Sequence, residues 1–326
     1  MTVGEDSSGQ RLDNFLLREL KGVPKTHVYR IIRSGEVRVN KGRAAADTRV
    51  EDGDVVRVPP LRLPGPKAGL GEDGAGSSAP PREFPILYED EHLLAVDKPS
   101  GVAVHGGSGV SFGVIEQLRR ARPQARFLEL VHRLDRDTSG ILLLAKKRSA
   151  LTHLQDQFRG RETGKTYLAL AAGTWPANRK VIDVPLHKYL QADGERRVKV
   201  VAADDPDGMR AITLVKVAQR ISLPLPPGEG RGEGKERLFT LLEVTIKTGR
   251  THQIRVHLAS QGHPIAGDDK YGDFELNKAL ARAGLRRMFL HAWRLRFAHP
   301  QTGEVVELNA PLPPELESFL HSAQAR

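Results

Sequence analysis

The chain contains no cysteine. That one absence excludes disulfides, thiolate nucleophiles, Cys-ligated zinc and iron–sulfur clusters together. No apolar run approaches the ~18 residues that a membrane span needs. The first residues, Met1 to Gly9, are polar and acidic, so they do not read as a secretory signal. A soluble, cytoplasmic protein is expected. What is present fits a folded chain: 326 residues, 39% hydrophobic, with 28% charged residues of both signs mixed throughout. That length suggests two domains, or one large domain plus a small module. Lys and Arg total 50 against 40 Asp and Glu, a formal net charge of +10. The pI near 9.9 favours a polyanionic partner, nucleic acid first.

Two low-complexity stretches divide the sequence. In Leu61 to Arg82, 14 of 22 residues are Gly, Pro, Ala or Ser. Such a segment cannot bury enough apolar surface to offset its ordering entropy, so residues 61–83 read as a flexible linker. The second stretch, SLPLPPGEGRGEGKER at 222–237, interrupts two strand-like segments and reads as a disordered surface insertion. Its spaced glycines lack the flanking strand, helix and Lys-Ser/Thr of a phosphate loop.

Residues 9–60 form the expected first domain. Leu12, Phe15, Leu16 and Leu20 make a helical stripe, and Val28, Ile31 and Ile32 make a second one starting near Pro24. Gly35 is placed to end that helix. Short strands follow at Val37 to Asn40 and Val55 to Val58, with turns at Lys41-Gly42 and Asp52-Gly53. Lys25, Arg30, Arg33, Arg38, Lys41 and Arg43 are opposed only by Glu36, and they span the second helix and the hairpin as one expected surface. The segments GQRLDNFL, VPKTHVYRIIRSGEVRVNKGR and VEDGDVVRVP resemble the small α/β RNA-binding domain of ribosomal protein S-four type. The resemblance implies that these six cations bind structured RNA and position it, without chemistry of their own.

Residues 84–326 mix strand signals at Leu93 to Val96, Ile141 to Leu144, Tyr167 to Leu170 and Leu241 to Val244 with helical stretches at Leu151 to Phe158 and Val256 to Gln261. Strands outnumber helices and do not alternate regularly with them. The expected class is therefore α+β with a mixed, mainly antiparallel sheet.

The chemistry concentrates in Val131 to Gly140, which carries two carboxylates, two arginines, a His and two hydroxyls ahead of an apolar strand. Turn chemistry explains Asp, Thr, Ser and Gly, but not the preceding His-Arg-Leu-Asp. Asp137-Thr138-Ser139-Gly140 faintly resembles an aspartic protease loop. Such an enzyme needs a second carboxylate copy, and none occurs. A metal hydrolase would use His132, His252 and His257. The last two are five apart rather than four, with no accompanying carboxylate helix. The third reading is a lone carboxylate, Asp135, acting beside arginines on an RNA base or sugar.

His132-Arg133-Leu134-Asp135 with Thr138-Ser139-Gly140 matches the His-Arg-Leu-Asp-x-x-Thr-Ser-Gly motif, and by it the chain is identified as a member of the RluA/RluC/RluD type of pseudouridine synthases. Tyr88 to Gly101 followed by Val104 to Gly107, Lys165-Thr166-Tyr167, Thr248 to His257 and Gly262 to Gly272 resemble the family's other motifs in order, with Tyr167 lying 32 residues past Asp135. The resemblance covers nearly the whole chain. The stretches Leu20 to Lys25 and Gly106 to Glu116 point within the family to the enzymes of large-subunit ribosomal RNA. It implies that Asp135 is the catalytic carboxylate and that Arg255 is the cation keeping it ionised against burial. Tyr167 would lie against the flipped base and Ile254 on the other side of the pocket. Arg133 would fill the gap left by the extruded uridine, and His132 would orient the loop. The implied partner is 23S RNA or its assembly intermediates, acted on by a monomer. No metal or cofactor is implied, since the isomerisation involves no net oxidation and no phosphate energy.

Overall fold

The computed structural model describes residues 1–4, 7–20, 23–60, 79–107, 111–191, 195–224 and 236–324. They divide into two compact units, Met1–Ser78 with Lys147–Ser149, and Ala79–Lys146 with Ala150–Arg326.

In the first unit, β1 (Gln10–Arg11) leads into α1 (Leu12–Glu19) and α2 (Lys25–Arg33), followed by β2 (Arg38–Val39), β3 (Gly42–Arg43), β4 (Arg49–Val50) and β5 (Val56–Arg57). The two helical stripes bury Leu12, Phe15, Leu16, Val28, Ile31 and Ile32 against Val37, Val50 and Val56. Gly35, at φ +75, turns the chain after α2, a conformation that L side chains adopt at a cost. Two details differ from the expectation. The hairpin turns on Asn40 and Lys41, both at positive φ, one residue ahead of the expected Lys41-Gly42. Asn tolerates that region, and here its amide is anchored, with Asn40 Oδ1 accepting the Val55 N–H at 2.9 Å. The packed unit also starts before residue 9: Val3 is buried and donates its N–H to Asp54 O at 2.8 Å. A polar flank conceals one apolar residue whose burial offsets the cost of ordering this segment.

The second unit runs β6 (Ile86–Glu89), β7 (Leu93–Lys98), α3 (Val114–Ala121), β8 (Glu129–Leu130), β9 (Ser139–Ala145), α4 (Arg148–Gly160), β10 (Gly164–Ala172), β11 (Val181–Asp183), β12 (Leu186–Leu190), β13 (Arg196–Val200), β14 (Ile212–Pro224), β15 (Glu236–Ile246), α5 (Gln253–Ser260), α6 (Phe274–Arg282), β16 (Leu290–Ala298), β17 (Val305–Asn309) and α7 (Pro314–Gln324). Ten strands form one sheet in the order β11-β14-β15-β10-β16-β9-β7-β6, with β17 on β16 and β8 on β9. Among the described residues every pairing in it is antiparallel except β16 with β9. The architecture is α+β and mainly antiparallel, as the strand-rich pattern implies.

The sheet centre is covered on both faces, which is why β9 reads as an unbroken apolar run. Leu94, Val96, Leu142 and Leu144 join Leu118 of α3 and Leu258 of α5 in one core. Leu93, Ala95, Ile141 and Leu143 join Leu151 and Leu154 of α4 in the other. Gly140 stands where β9 meets β16: its φ is +110, and a Cβ there would lie 2.3 Å from the Ala292 carbonyl oxygen. The motif's glycine therefore lets the loop carrying Asp135 enter the sheet.

The expected disordered insertion at 222–237 is too wide. Ser222, Leu223 and Pro224 pair with Leu238, Arg237 and Glu236, extending the β14–β15 ribbon. The rest of that segment, 225–235, and the linker residues 61–78 lie outside the described residues. Among the described residues no helix is long and apolar enough to cross a membrane.

Candidate active site

The Asp135 loop is held from behind. Lys98, fully buried at the end of β7, donates its three ammonium protons to the carbonyls of Pro99, Val102 and Arg136 at 2.8–3.0 Å. Burial pulls this ammonium down to about 7. Gly101 N–H donates to Arg136 O and Ser100 Oγ to Asp137 O, so both carbonyls after Asp135 are fixed. Ser139 Oγ contacts His291 Nδ1 at 2.9 Å and accepts from Arg287 Nη2 at 2.7 Å, anchoring the other end.

α5 brings the opposing charge. Gln253 fixes its start, accepting from Thr248 Oγ1 and Arg250 N while donating to Ile212 O and Thr213 Oγ1. Arg255 is 3% exposed. One of its nitrogens, Nη1, stands 3.5 Å from Asp135 Oδ2. Its Nε and Nη2 bind both oxygens of Asp268 at 2.8 and 2.7 Å. Asp268, 1% exposed, also accepts the N–H groups of Lys270 and Tyr271. Burial alone would raise the Asp268 carboxyl, but Arg255 and these amides hold it below its ordinary range. The same carboxylates push the guanidinium up against the effect of burial.

Asp135, Arg255, Tyr167, Ile254 and Arg133 meet around one pocket of about 90 Å³, whose wall also includes the apolar Leu134, Ile246 and Leu290 and the polar Thr138, Arg250 and His252. Asp135 is less enclosed than a deeply buried carboxylate, its side chain being 28% exposed. Tyr167 sits on β10 opposite Val244 and Ala292, and is buried. Burial, then the charge of Asp135, raises its hydroxyl above the ordinary range, so it stands there as a neutral phenol. Arg133 is exposed at the pocket rim. His132 does not line the pocket. Its ring stacks on Phe158 at 4.9 Å and its Nε2 accepts from Leu143 N, while burial lowers it to about 4. It pins the loop to β9 as a neutral ring.

The three histidines weighed as a metal set have separate partners: His132 those just given, His252 the Tyr271 hydroxyl, and His257 Thr213 Oγ1 and Val184 O. On the first unit, Arg38 pairs across strands with Arg43 and Arg57, and Arg43 Nη2 donates to Arg33 O at 3.0 Å. Arg30 lies 3.9 Å from Glu36. Lys25 opens α2 and Lys41 occupies the hairpin turn, both exposed. Sequence reasoning missed the work of Lys98, Asp268, Tyr271 and Arg287. Lys98, Asp268 and Tyr271 lie inside the family motifs, yet nothing local marks a carboxylate that binds an arginine 13 residues earlier.

One carboxylate, Asp135, lines the pocket with a buried arginine and a buried phenol, which suits an enzyme site, and the small arginine-rich unit suits an RNA partner. Comparison with known families makes the class specific: residues 92–260 match RNA pseudouridylate synthase and residues 10–56 match the S4 domain. The chain belongs to the RNA pseudouridylate synthase family. It is 50% identical over 320 residues to "Ribosomal large subunit pseudouridine synthase C" of Pasteurella multocida (strain Pm70), covering 98% of this chain and 92% of that protein. The protein of the same name from Yersinia pestis is 50% identical over 325 residues, covering 98% and 94%. The solved structure of "Human RNA Pseudouridylate Synthase Domain Containing 1" aligns with a TM-score of 0.57 at 27% identity, covering 73% of this chain and 87% of that one.

Proposed function

We propose that this chain isomerises uridine to pseudouridine in large-subunit (23S) ribosomal RNA, working as a monomer in the cytoplasm. The observation that carries the reading is the meeting of Asp135, Arg255 and Tyr167 in one small pocket. The reaction breaks N1–C1′, turns the base and joins C5 to C1′. A proton leaves C5 and one is gained at N1, so mass and oxidation state are unchanged. Asp135 acts as the carboxylate toward the sugar or base, with Arg255 balancing its charge. Tyr167 and Ile254 bracket the flipped base, and Tyr167 keeps its proton. Arg133, at the rim, takes the space vacated by the uridine and offsets part of the few kcal/mol that extrusion costs. The arginines of the first unit hold the RNA by its phosphates.

The 50% identity to proteins named for the large ribosomal subunit supports this substrate. The test is to map pseudouridines in ribosomal RNA from cells with and without the gene. Loss of one or more large-subunit sites, restored by the intact gene, is expected. An unchanged large-subunit map would overturn the substrate assignment.

A further inference from the structure

Beside the catalytic pocket runs a groove of about 680 Å³ under the β12–β13 arm. Arg133 and His252 line both the groove and the pocket, so the two are neighbours. The groove's other polar lining includes Lys188, Arg196 and Arg197, with Tyr189 as an aromatic face. Cations with an interleaved aromatic suit the phosphates and bases of an RNA strand.

The arm is attached to the loop that holds Arg255, and Tyr271 is the residue in that attachment that also touches Arg255. Its hydroxyl accepts the Val198 N–H of β13 at 3.0 Å and lies 2.8 Å from His252 Nδ1. Its ring lies beneath the Arg255 guanidinium, 5.2 Å from carbon to centroid. Arg197 Nη1 donates to Lys270 O at 2.9 Å, and Glu195 bridges Arg197 and Lys270 at 2.9 and 2.7 Å. Val198 packs with Val256 of α5 and with Tyr271 itself. At the far end of this chain of contacts, His252 is held at φ +52 immediately before α5, three residues ahead of Arg255. Non-glycine residues occupy that backbone region only when their surroundings hold them there.

We propose that Tyr271 is a positioning residue coupling the β12–β13 arm to Arg255, so that an RNA strand seated in the groove sets the pose of the Arg255–Asp135 pair. The proposal rests on the RNA-modifying function given above, and it adds a route by which substrate outside the pocket adjusts the charge pair inside it. The 3.5 Å separation of Arg255 and Asp135, against 2.7 and 2.8 Å to Asp268, leaves room for that adjustment.

The test compares Tyr271→Phe, Arg197→Ala and the double variant with the parent. Single-turnover pseudouridine formation at saturating RNA should fall about tenfold in each single variant, a size typical of coupled neighbours. RNA affinity should stay within about threefold in Tyr271→Phe, should weaken in Arg197→Ala by no more than the loss of one phosphate contact explains, and the thermal midpoint should change little. The double variant should be no slower than the slower single one. Losses that multiply would overturn the coupling, as would a rate unchanged in both single variants. Arg197→Ala removes a partly exposed arm side chain with its contact to Lys270 and leaves Tyr271 and the buried Arg255 in place, so it serves as the folded variant should Tyr271→Phe misfold. Amide hydrogen exchange gives a readout independent of turnover. RNA binding should protect the start of α5 and residues 267–272 in the parent, and in Arg197→Ala should protect the arm without them. Equal protection in both would overturn the proposal even in a protein that made no pseudouridine, whereas inactivity with the expected exchange pattern would overturn only the functional reading.

Discussion

Arg255 gives its two shortest contacts to Asp268, at 2.7 and 2.8 Å, and a longer one of 3.5 Å to Asp135. The guanidinium is therefore clamped by one carboxylate and presented to another. The clamp satisfies most of the buried charge, so Asp135, the proposed catalytic carboxylate, is not locked by it. In the proposed reaction Arg255 has to be fixed to be useful, and Asp135 has to remain available to a substrate.

Removing the clamp should be costly. Asp268→Asn leaves a buried guanidinium without its main counter-charge, which typically costs roughly 3 to 5 kcal/mol. Chemical denaturation should show a loss of that order. Single-turnover activity should fall by more than the remaining folded fraction explains, because Arg255 is then free to swing toward Asp135. A variant as stable and as fast as the parent would show that the 2.7 Å contact has no such role.

Arg133 and Arg255 share a charge but sit differently, one exposed at the rim and one buried. Arg133→Ala should slow base extrusion, so an RNA whose target uridine is already unpaired should recover part of the rate. Arg255→Met should not be rescued by that substrate. Equal rescue of the two would contradict the division of roles.

The first unit's contribution should be electrostatic. Arg33→Ala with Arg43→Ala should weaken RNA binding and reduce the slope of log affinity against log salt, by about 0.7–0.9 for each phosphate that is no longer neutralised. The single-turnover rate at saturating RNA should change little. An unchanged salt slope would place the RNA elsewhere.

His132 makes a pH-dependent contribution to stability. Burial lowers it from an ordinary 6.5 to about 4, so it is neutral in the fold and accepts the Leu143 N–H. Between those two values the unfolded chain binds a proton that the folded chain does not. Stability is thus intact above about 6.5 and is lost as the pH falls toward 4, by up to roughly 3 kcal/mol. His291, also lowered to about 4 by burial, acts in the same sense. His132→Gln keeps an acceptor at the position of Nε2 but cannot titrate. Its unfolding free energy should depend on pH less steeply, by up to about one proton. An identical pH slope in parent and variant would remove His132 from this role.

The parts of this molecule legible in the sequence are those written in short range. The Ile141 to Leu144 run announces a strand buried on both faces, and the spacing of Leu12, Phe15 and Leu16 announces a helix. The motif residues Asp135, Tyr167 and Arg255 can be named because a family resemblance supplies what 120 residues of separation between Asp135 and Arg255 hide. The rest depends on contacts formed only in the fold. Lys98 gives no local sign that it will bind the Arg136 carbonyl, nor Tyr271 that it will receive an N–H from Val198. The facing ends of β14 and β15 look like loop in the sequence because Pro and Gly crowd there, and ladder pairing overrides that composition as far as Pro224. Val3 is hidden by its polar neighbours.

The proposed function depends on the role of Asp135 in isomerising uridine on large-subunit RNA. The direct measurement is pseudouridine formed per enzyme in a single turnover on unmodified large-subunit ribosomal RNA, for the parent and for Asp135→Asn. The carboxamide keeps the shape and cannot supply an anionic carboxylate. The expected result is product from the parent and a drop of at least about a thousandfold in the variant, roughly 4 kcal/mol of barrier, with RNA affinity and thermal midpoint nearly unchanged. Turnover by Asp135→Asn within about tenfold of the parent, a difference of only ~1.4 kcal/mol, would contradict it.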